Sequence, residues 1–154
     1  MINLTAYKVF EPVRMNGLLN GDMLAQAEVG TIPTKNGVVE NGTLTNFGID
    51  GKLNLAANKE KLFVVYNEPK NDFWVGDEYF AVDLEYELPR AIRLWTGDKF
   101  ITNNVAADLA GAKYAKIVSG KLTLEETNSA DSCFIVEETY TASGIKAYMF
   151  TYVL

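Results

Sequence analysis

Histidine is absent from this chain. Its absence removes the commonest general base and the commonest metal ligand together, so Ser-His-Asp and Cys-His machinery are excluded. Cysteine occurs once, as Cys133, which rules out an intrachain disulfide. It sits in the apolar run Cys133-Phe134-Ile135-Val136, whereas reactive thiols need a cationic, exposed setting, so it reads as a small buried hydrophobe. Excess positive charge is also missing: 14 Lys and Arg stand against 20 Asp and Glu, a formal charge of −6. A nucleic-acid binder needs a cationic footprint to displace counterions from phosphate, and none is present, so no nucleic-acid partner is expected. Anionic membrane surfaces are disfavoured for the same reason. Nowhere do about eighteen apolar residues run together, so no membrane span is expected. Residues 1–10 lack the basic start and continuous apolar stretch of a secretion signal, which predicts a soluble chain made in the cytoplasm. Gly-x-x-x-x-Gly-Lys-Ser/Thr and strand-linked Gly-x-Gly-x-x-Gly phosphate patterns are lacking too. No cofactor and no metal are expected.

What is there is a globular composition, 48% hydrophobic against 22% charged over 154 residues, enough to bury a core without staples. The hydrophobic residues fall mostly in short runs of period two, separated by Gly, Asn and Asp. Residues 2–10 alternate as Ile2, Leu4, then Tyr7, Val9, with Phe10 ahead of Pro12, which suggests an extended arm or a short strand. From Arg14 to Gly51 the Asn-Gly and Asp-Gly pairs predict short strands and turns. That section is either a loop-rich edge of the domain or a segment ordered against a partner. Leu62-Phe63-Val64-Val65-Tyr66 is apolar without alternation, as a strand buried on both faces would be. Phe80, Val82, Leu84, Tyr86 and Leu88 share one parity, with Asp83, Glu85 and Glu87 on the other, predicting a half-buried strand with an acidic outer face that Pro89 ends.

Arg90–Asn104 reads as strand, tight turn, strand around Thr96-Gly97-Asp98. The segment 104–111 carries helical signals, with Asn104 placed to cap, Val105 and Leu109 four apart and Gly111 at the stop. Two hairpins follow. Ser119-Gly120 sets Ile117 against Leu122, Ala115 against Leu124 and Lys116 against Thr123. Ser143-Gly144, taken as a two-residue turn, sets Thr139 against Tyr148, Glu137 against Phe150, Ile135 against Tyr152 and Cys133 against Leu154. The chain is therefore expected to be all-β, an antiparallel sandwich or small barrel with one short helix and an extended, turn-rich N-terminal section. Residues 1–58 form that section and residues 59–154 the β core, within one structural domain.

Three groups invite a chemical reading. The acidic pairs Glu85/Glu87, Glu125/Glu126 and Glu137/Glu138 could serve a glycosidase only from opposite sides of a cleft with split pKa values, and their neighbours suit solvated faces better. The Gly-Asp turns could be calcium loops, but no close succession of acids supplies six to eight ligands, and Asp bonding its own backbone explains them. Phe73, Trp74 and Tyr79 could stack on a sugar or anchor a protein, although core packing of both Phe73 and Trp74 through a bulge is the favoured account.

With Ile92-Arg93-Leu94-Trp95-Thr96-Gly97-Asp98-Lys99-Phe100-Ile101-Thr102-Asn103-Asn104 and the strand-rich residues beyond, the chain resembles the small β-rich decoration or cement proteins of tailed-bacteriophage heads. The resemblance implies a non-enzymatic virion structural protein on the capsid surface, often a homo-oligomer, that stabilises the shell by binding the major capsid protein. It carries over no functional residue. The residues themselves put the partner contact at Ile2, Leu4, Tyr7, Val9 and Phe10, with Phe73, Trp74 and Tyr79 as further candidates. The alternative expectation is a carbohydrate-binding β-sandwich that uses Trp74 and Tyr79.

Overall fold

The computed structural model describes residues 8–20, 24–34, 37–67, 81–85, 87–141 and 144–154. Thirteen strands and one five-residue helix succeed one another in it: β1 Phe10–Arg14, α1 Asn16–Asn20, β2 Leu24–Gln26, β3 Val38–Glu40, β4 Leu44–Phe47, β5 Leu53–Leu55, β6 Phe63–Val65, β7 Ala81–Asp83, β8 Arg90–Arg93, β9 Lys99–Thr102, β10 Tyr114–Val118, β11 Lys121–Glu125, β12 Phe134–Tyr140 and β13 Lys146–Tyr152. They form a six-stranded sheet in the order β1-β9-β13-β12-β10-β11, a five-stranded sheet β2-β8-β6-β4-β5 and a ribbon β3-β7. Every ladder is antiparallel. The six-stranded sheet is open, so among the two architectures expected for an all-β chain the closed barrel is excluded.

Side-chain parity explains how the layers stack. Leu44, Val64 and Ile92 of the five-stranded sheet meet Phe100, Phe134, Tyr148, Phe150 and Tyr152 of the six-stranded sheet in one buried cluster. Phe100 stacks on Phe150 at 5.6 Å between centroids, and Phe134 meets both rings edge-on at 5.8 and 5.7 Å. Burying each such ring stabilises the fold by about 2–3 kcal/mol before entropy is set against it. The opposite parity of the five-stranded sheet, Leu53, Val65 and Ala91, buries against Val39 and Val82 of the ribbon and against Ile32. The middle sheet therefore buries apolar residues on both faces, with Phe47 and Phe63 left partly exposed at one end, and its central strand β6 shows the unalternating apolar run that such a position requires.

The first hairpin has the expected register, Ala115 opposite Leu124, Lys116 opposite Thr123 and Ile117 opposite Leu122. Ser119 and Gly120 take φ of +49° and +76°, the pair of left-handed residues that a two-residue turn needs. The second hairpin departs by one residue: Ile135 faces Thr151, Val136 faces Phe150, Glu137 faces Met149 and Thr139 faces Ala147. Its end is closed by Thr141 N–H on the Ile145 carbonyl, with Gly144 at φ +75°. The loop thus has three residues, with the glycine as the left-handed closing position rather than the second of a two-residue turn. A shift of one residue exchanges the faces, so Ile135 points outward while Phe134 and Val136 point into the core. Val153 N–H, rather than Leu154, meets Cys133, at its carbonyl.

Other expectations are corrected. Residues 104–111 form no helix: Val105 bridges Leu122, Ala106 N–H bonds the Leu122 carbonyl, and Val105, Leu109 and Ala112 pack on the core from a non-helical path. A two-turn helix is marginal by itself, and this edge-covering contact outcompetes it. The short helix lies instead at Asn16–Asn20, inside the section read as strands and turns. β8 and β9 do not pair; Thr96-Gly97-Asp98 carries the chain from the five-stranded to the six-stranded sheet. The acid-faced strand is short as well. After Asp83 the chain turns, with Glu87 N–H on the Asp83 carbonyl and Glu85 N–H on Asp83 Oδ1, and Leu88 is 44% exposed.

Candidate interaction surface

The ladders of the six-stranded sheet fix what its outer face presents. Lys99, Thr151, Ile135, Tyr114 and Glu125 lie side by side across β9, β13, β12, β10 and β11. The adjoining row holds Glu11, Ile101, Met149 and Glu137. These are the positions alternate to Phe100, Phe134 and Phe150, so they point away from the core. Ile135 is 49% exposed, Glu137 is exposed, and Ile101, Tyr114, Met149 and Thr151 are partly exposed. The face therefore has an apolar centre and a charged rim, the anatomy of a docking surface. At about 4.8 Å between strands and 6.8 Å between like-facing residues, the patch spans roughly 300–400 Å².

The rim is held in place. Lys116 Nζ lies 2.8 Å from Glu125 Oε1, and Ser129 and Ser132 donate hydroxyl bonds to the same carboxylate at 3.1 and 2.7 Å to Oε2. The Lys116 bond, with the two serines, holds the Glu125 carboxyl below its usual range, and the same bond raises Lys116. Glu125 therefore anchors residues 126–132 instead of standing ready as an acid or base. Glu137 and Glu138 point to opposite faces of β12, and Glu85 is exposed in its turn.

Edge strands offer poorer docking. β1 carries Pro12 and a register shift before Arg14. β5 is flanked by Val29, with Gly30 N–H on the Leu53 carbonyl, and β11 is flanked by Val105. Proline, bulges and covering segments are how sheets discourage edge-to-edge pairing.

Of the expected contact residues, Ile2, Leu4, Tyr7, Phe73, Trp74 and Tyr79 lie outside the described residues. Val9 and Phe10 are corrected: they are 0% and 2% exposed, and Phe10 packs on Tyr66 and Phe100 at 5.3 and 5.4 Å. Thr102 Oγ1 donates to the Val9 carbonyl and Asn103 Oδ1 accepts from Val9 N–H, so the chain's own sheet uses both residues.

Asp98 works as turn chemistry. Its Oδ2 accepts from Trp95 N–H at 2.9 Å and its Oδ1 from Asn16 N–H at 3.1 Å, while its own carbonyl receives Tyr152 N–H. Cys133 is buried, and burial pushes its thiol up to about 11. Among the described residues no group of three or more acids and cysteines is placed to hold a metal ion. No helix among them is long and apolar enough to cross a membrane.

The outer-face residues were hidden from a reading by pattern because β13 is apolar at both parities, Ala147 and Met149 on one and Tyr148 and Phe150 on the other. Gly144 held the signal: read as a three-residue closure, it would have turned Ile135 outward. In comparisons with known proteins, no family model, no curated protein and no solved structure matches the chain.

Proposed function

We propose that this chain is a non-enzymatic structural protein of a tailed-phage virion, which decorates and stabilises the head by binding the major capsid protein through the outer face of its six-stranded sheet. The partner is named by the resemblance at Ile92–Asn104. The docking itself is carried by one observation, the apolar centre Ile101, Ile135 and Met149 with its rim of Lys99, Glu11 and Glu137. The Glu125 carboxylate beside that face is spent on structure, which suits a binding role better than turnover.

A patch of this size falls short of the about 800 Å² per partner that a stable pairwise complex buries. Useful retention then depends on repetition: an oligomer set on a shell of repeated capsomers gains effective concentration at every further contact. The N-terminal arm contributes through Ile2, Leu4 and Tyr7 only, since Val9 and Phe10 belong to the core.

Co-sedimentation with shells assembled from the major capsid protein of the same virus tests the reading. Wild-type protein should saturate at a simple ratio to capsomers, and Ile135→Lys should reduce binding at least tenfold while its unfolding curve stays put. Equal binding by both proteins, or by neither, contradicts it.

A further inference from the structure

A second feature lies away from that sheet. Asn46, Phe47, Asn58, Glu60, Lys61 and Phe63 line an open recess of about 510 Å³ beside the β4–β5 hairpin, within the range of about 300–1,000 Å³ common for ligand clefts. Its floor is the edge-to-face pair Phe47 and Phe63, 4.8 Å between centroids, both partly exposed. Glu60 and Lys61 stand exposed at its rim.

The rim is rigid for a definite reason. The Asn46 side chain accepts from Ala57 N–H and Asn58 N–H at 2.8 and 2.9 Å and donates to the Asn58 and Lys61 carbonyls at 3.1 and 3.2 Å. That uses both donors and both lone-pair directions of the amide. It also holds Lys61 at φ +50°, a conformation costly for a residue with a Cβ.

These features select a class of ligand. The backbone around the rim is already bonded to Asn46, so a peptide gains no main-chain pairing there. One carboxylate and one ammonium at the same mouth cancel, so neither an anion nor a cation is favoured over a neutral molecule. What remains is a ligand with an apolar face for the rings and several hydroxyls that can both donate to Glu60 and accept from Lys61. We propose that this recess binds a neutral pyranose unit, its C–H face against Phe47 and Phe63 and its hydroxyls on Glu60 and Lys61. The site is separate from the shell-binding face and does not rest on that reading.

Saturation-transfer NMR on the full chain, with the methyl glycosides of glucose, galactose, mannose and N-acetylglucosamine, tests this. At least one should give transfer with millimolar affinity, shifting the Phe47 and Phe63 ring protons. Truncating either ring endangers the fold, so the diagnostic variants are Glu60→Ala and Lys61→Asn; the first should weaken binding about tenfold, the loss of one charged hydrogen bond. Absence of transfer from all four glycosides overturns the proposal. So does transfer that Glu60→Ala leaves unchanged, or a preference for glucosamine or glucuronic acid over the neutral sugars.

Discussion

Replacing Asp98 probes the turn that carries the chain between the two large sheets. Its carboxylate is the acceptor for two backbone N–H groups, Trp95 at 2.9 Å and Asn16 at 3.1 Å, in a residue only 4% exposed. Hydrogen bonds to a charged acceptor contribute about 1.5–3 kcal/mol each, and both donors would be stranded by alanine. Asp98→Ala should therefore cost about 3–5 kcal/mol, a large part of the 5–15 kcal/mol that holds an ordinary domain together. Asn keeps one acceptor oxygen but turns an NH₂ toward the other N–H, so Asp98→Asn should cost about half as much. Urea unfolding followed by tryptophan fluorescence measures both, with the midpoint shift read at constant slope. A cost under about 1 kcal/mol for Asp98→Ala would refute the reasoning. A stabilisation by millimolar calcium that Asp98→Asn abolishes would restore the ligand reading of the Gly-Asp turn.

Gly120→Ala should destabilise by about 2–3 kcal/mol in urea, because its Cβ would fall 2.3 Å from Leu55 Cδ2 at a φ of +76°. In a Leu55→Ala background the added cost should drop to the left-handed strain alone, about 1 kcal/mol; an undiminished cost would show that the contact is not the cause. Lys61→Gly should raise stability by about 0.5–1 kcal/mol by relieving φ +50°, and a loss would contradict the strain assigned there. Because the folded-state carboxyl of Glu125 lies below its unfolded value, its contribution is full above the ordinary carboxylate range and fades as pH falls through the lower, folded value. The difference in Tm between wild type and Glu125→Gln should thus be largest near neutral pH and shrink below about pH 4; a difference that grows on acidification would contradict the anchor. Removal through residue 12 should unfold the chain, since Phe10 is core and Pro12 lies in β1; an unchanged unfolding midpoint would contradict that placement.

Where local chemistry decided the structure, the sequence was legible. Ser119-Gly120 could only close a two-residue turn well, and the register of β10 and β11 followed. Leu62–Tyr66 read as buried on both sides because β6 sends Val64 into one buried cluster and Val65 into the other. Where two local solutions differ by one residue, the pattern could not choose. Gly144 serves a two-residue or a three-residue turn equally well on paper, and the choice reverses the faces of β12 and β13. Thr96-Gly97-Asp98 looks like a hairpin from its flanks, yet Asn16 N–H and Tyr152 N–H, both distant in sequence, bind Asp98 and route the strands into different sheets. Residues 104–111 hold helix signals that a single bridge to Leu122 overrides. The candidate docking face was illegible for the same reason as the register, and the Phe47–Phe63 recess because Phe63 reads as core until its partner across the sheet is known.

The most direct test of the shell-binding account is a cryo-electron reconstruction of shells saturated with this protein. The account predicts density on the shell exterior with the six-stranded sheet facing inward, Ile101, Ile135 and Met149 against capsid residues and the ribbon β3-β7 outermost. Saturated shells without such density, or with that face turned to solvent, would contradict it.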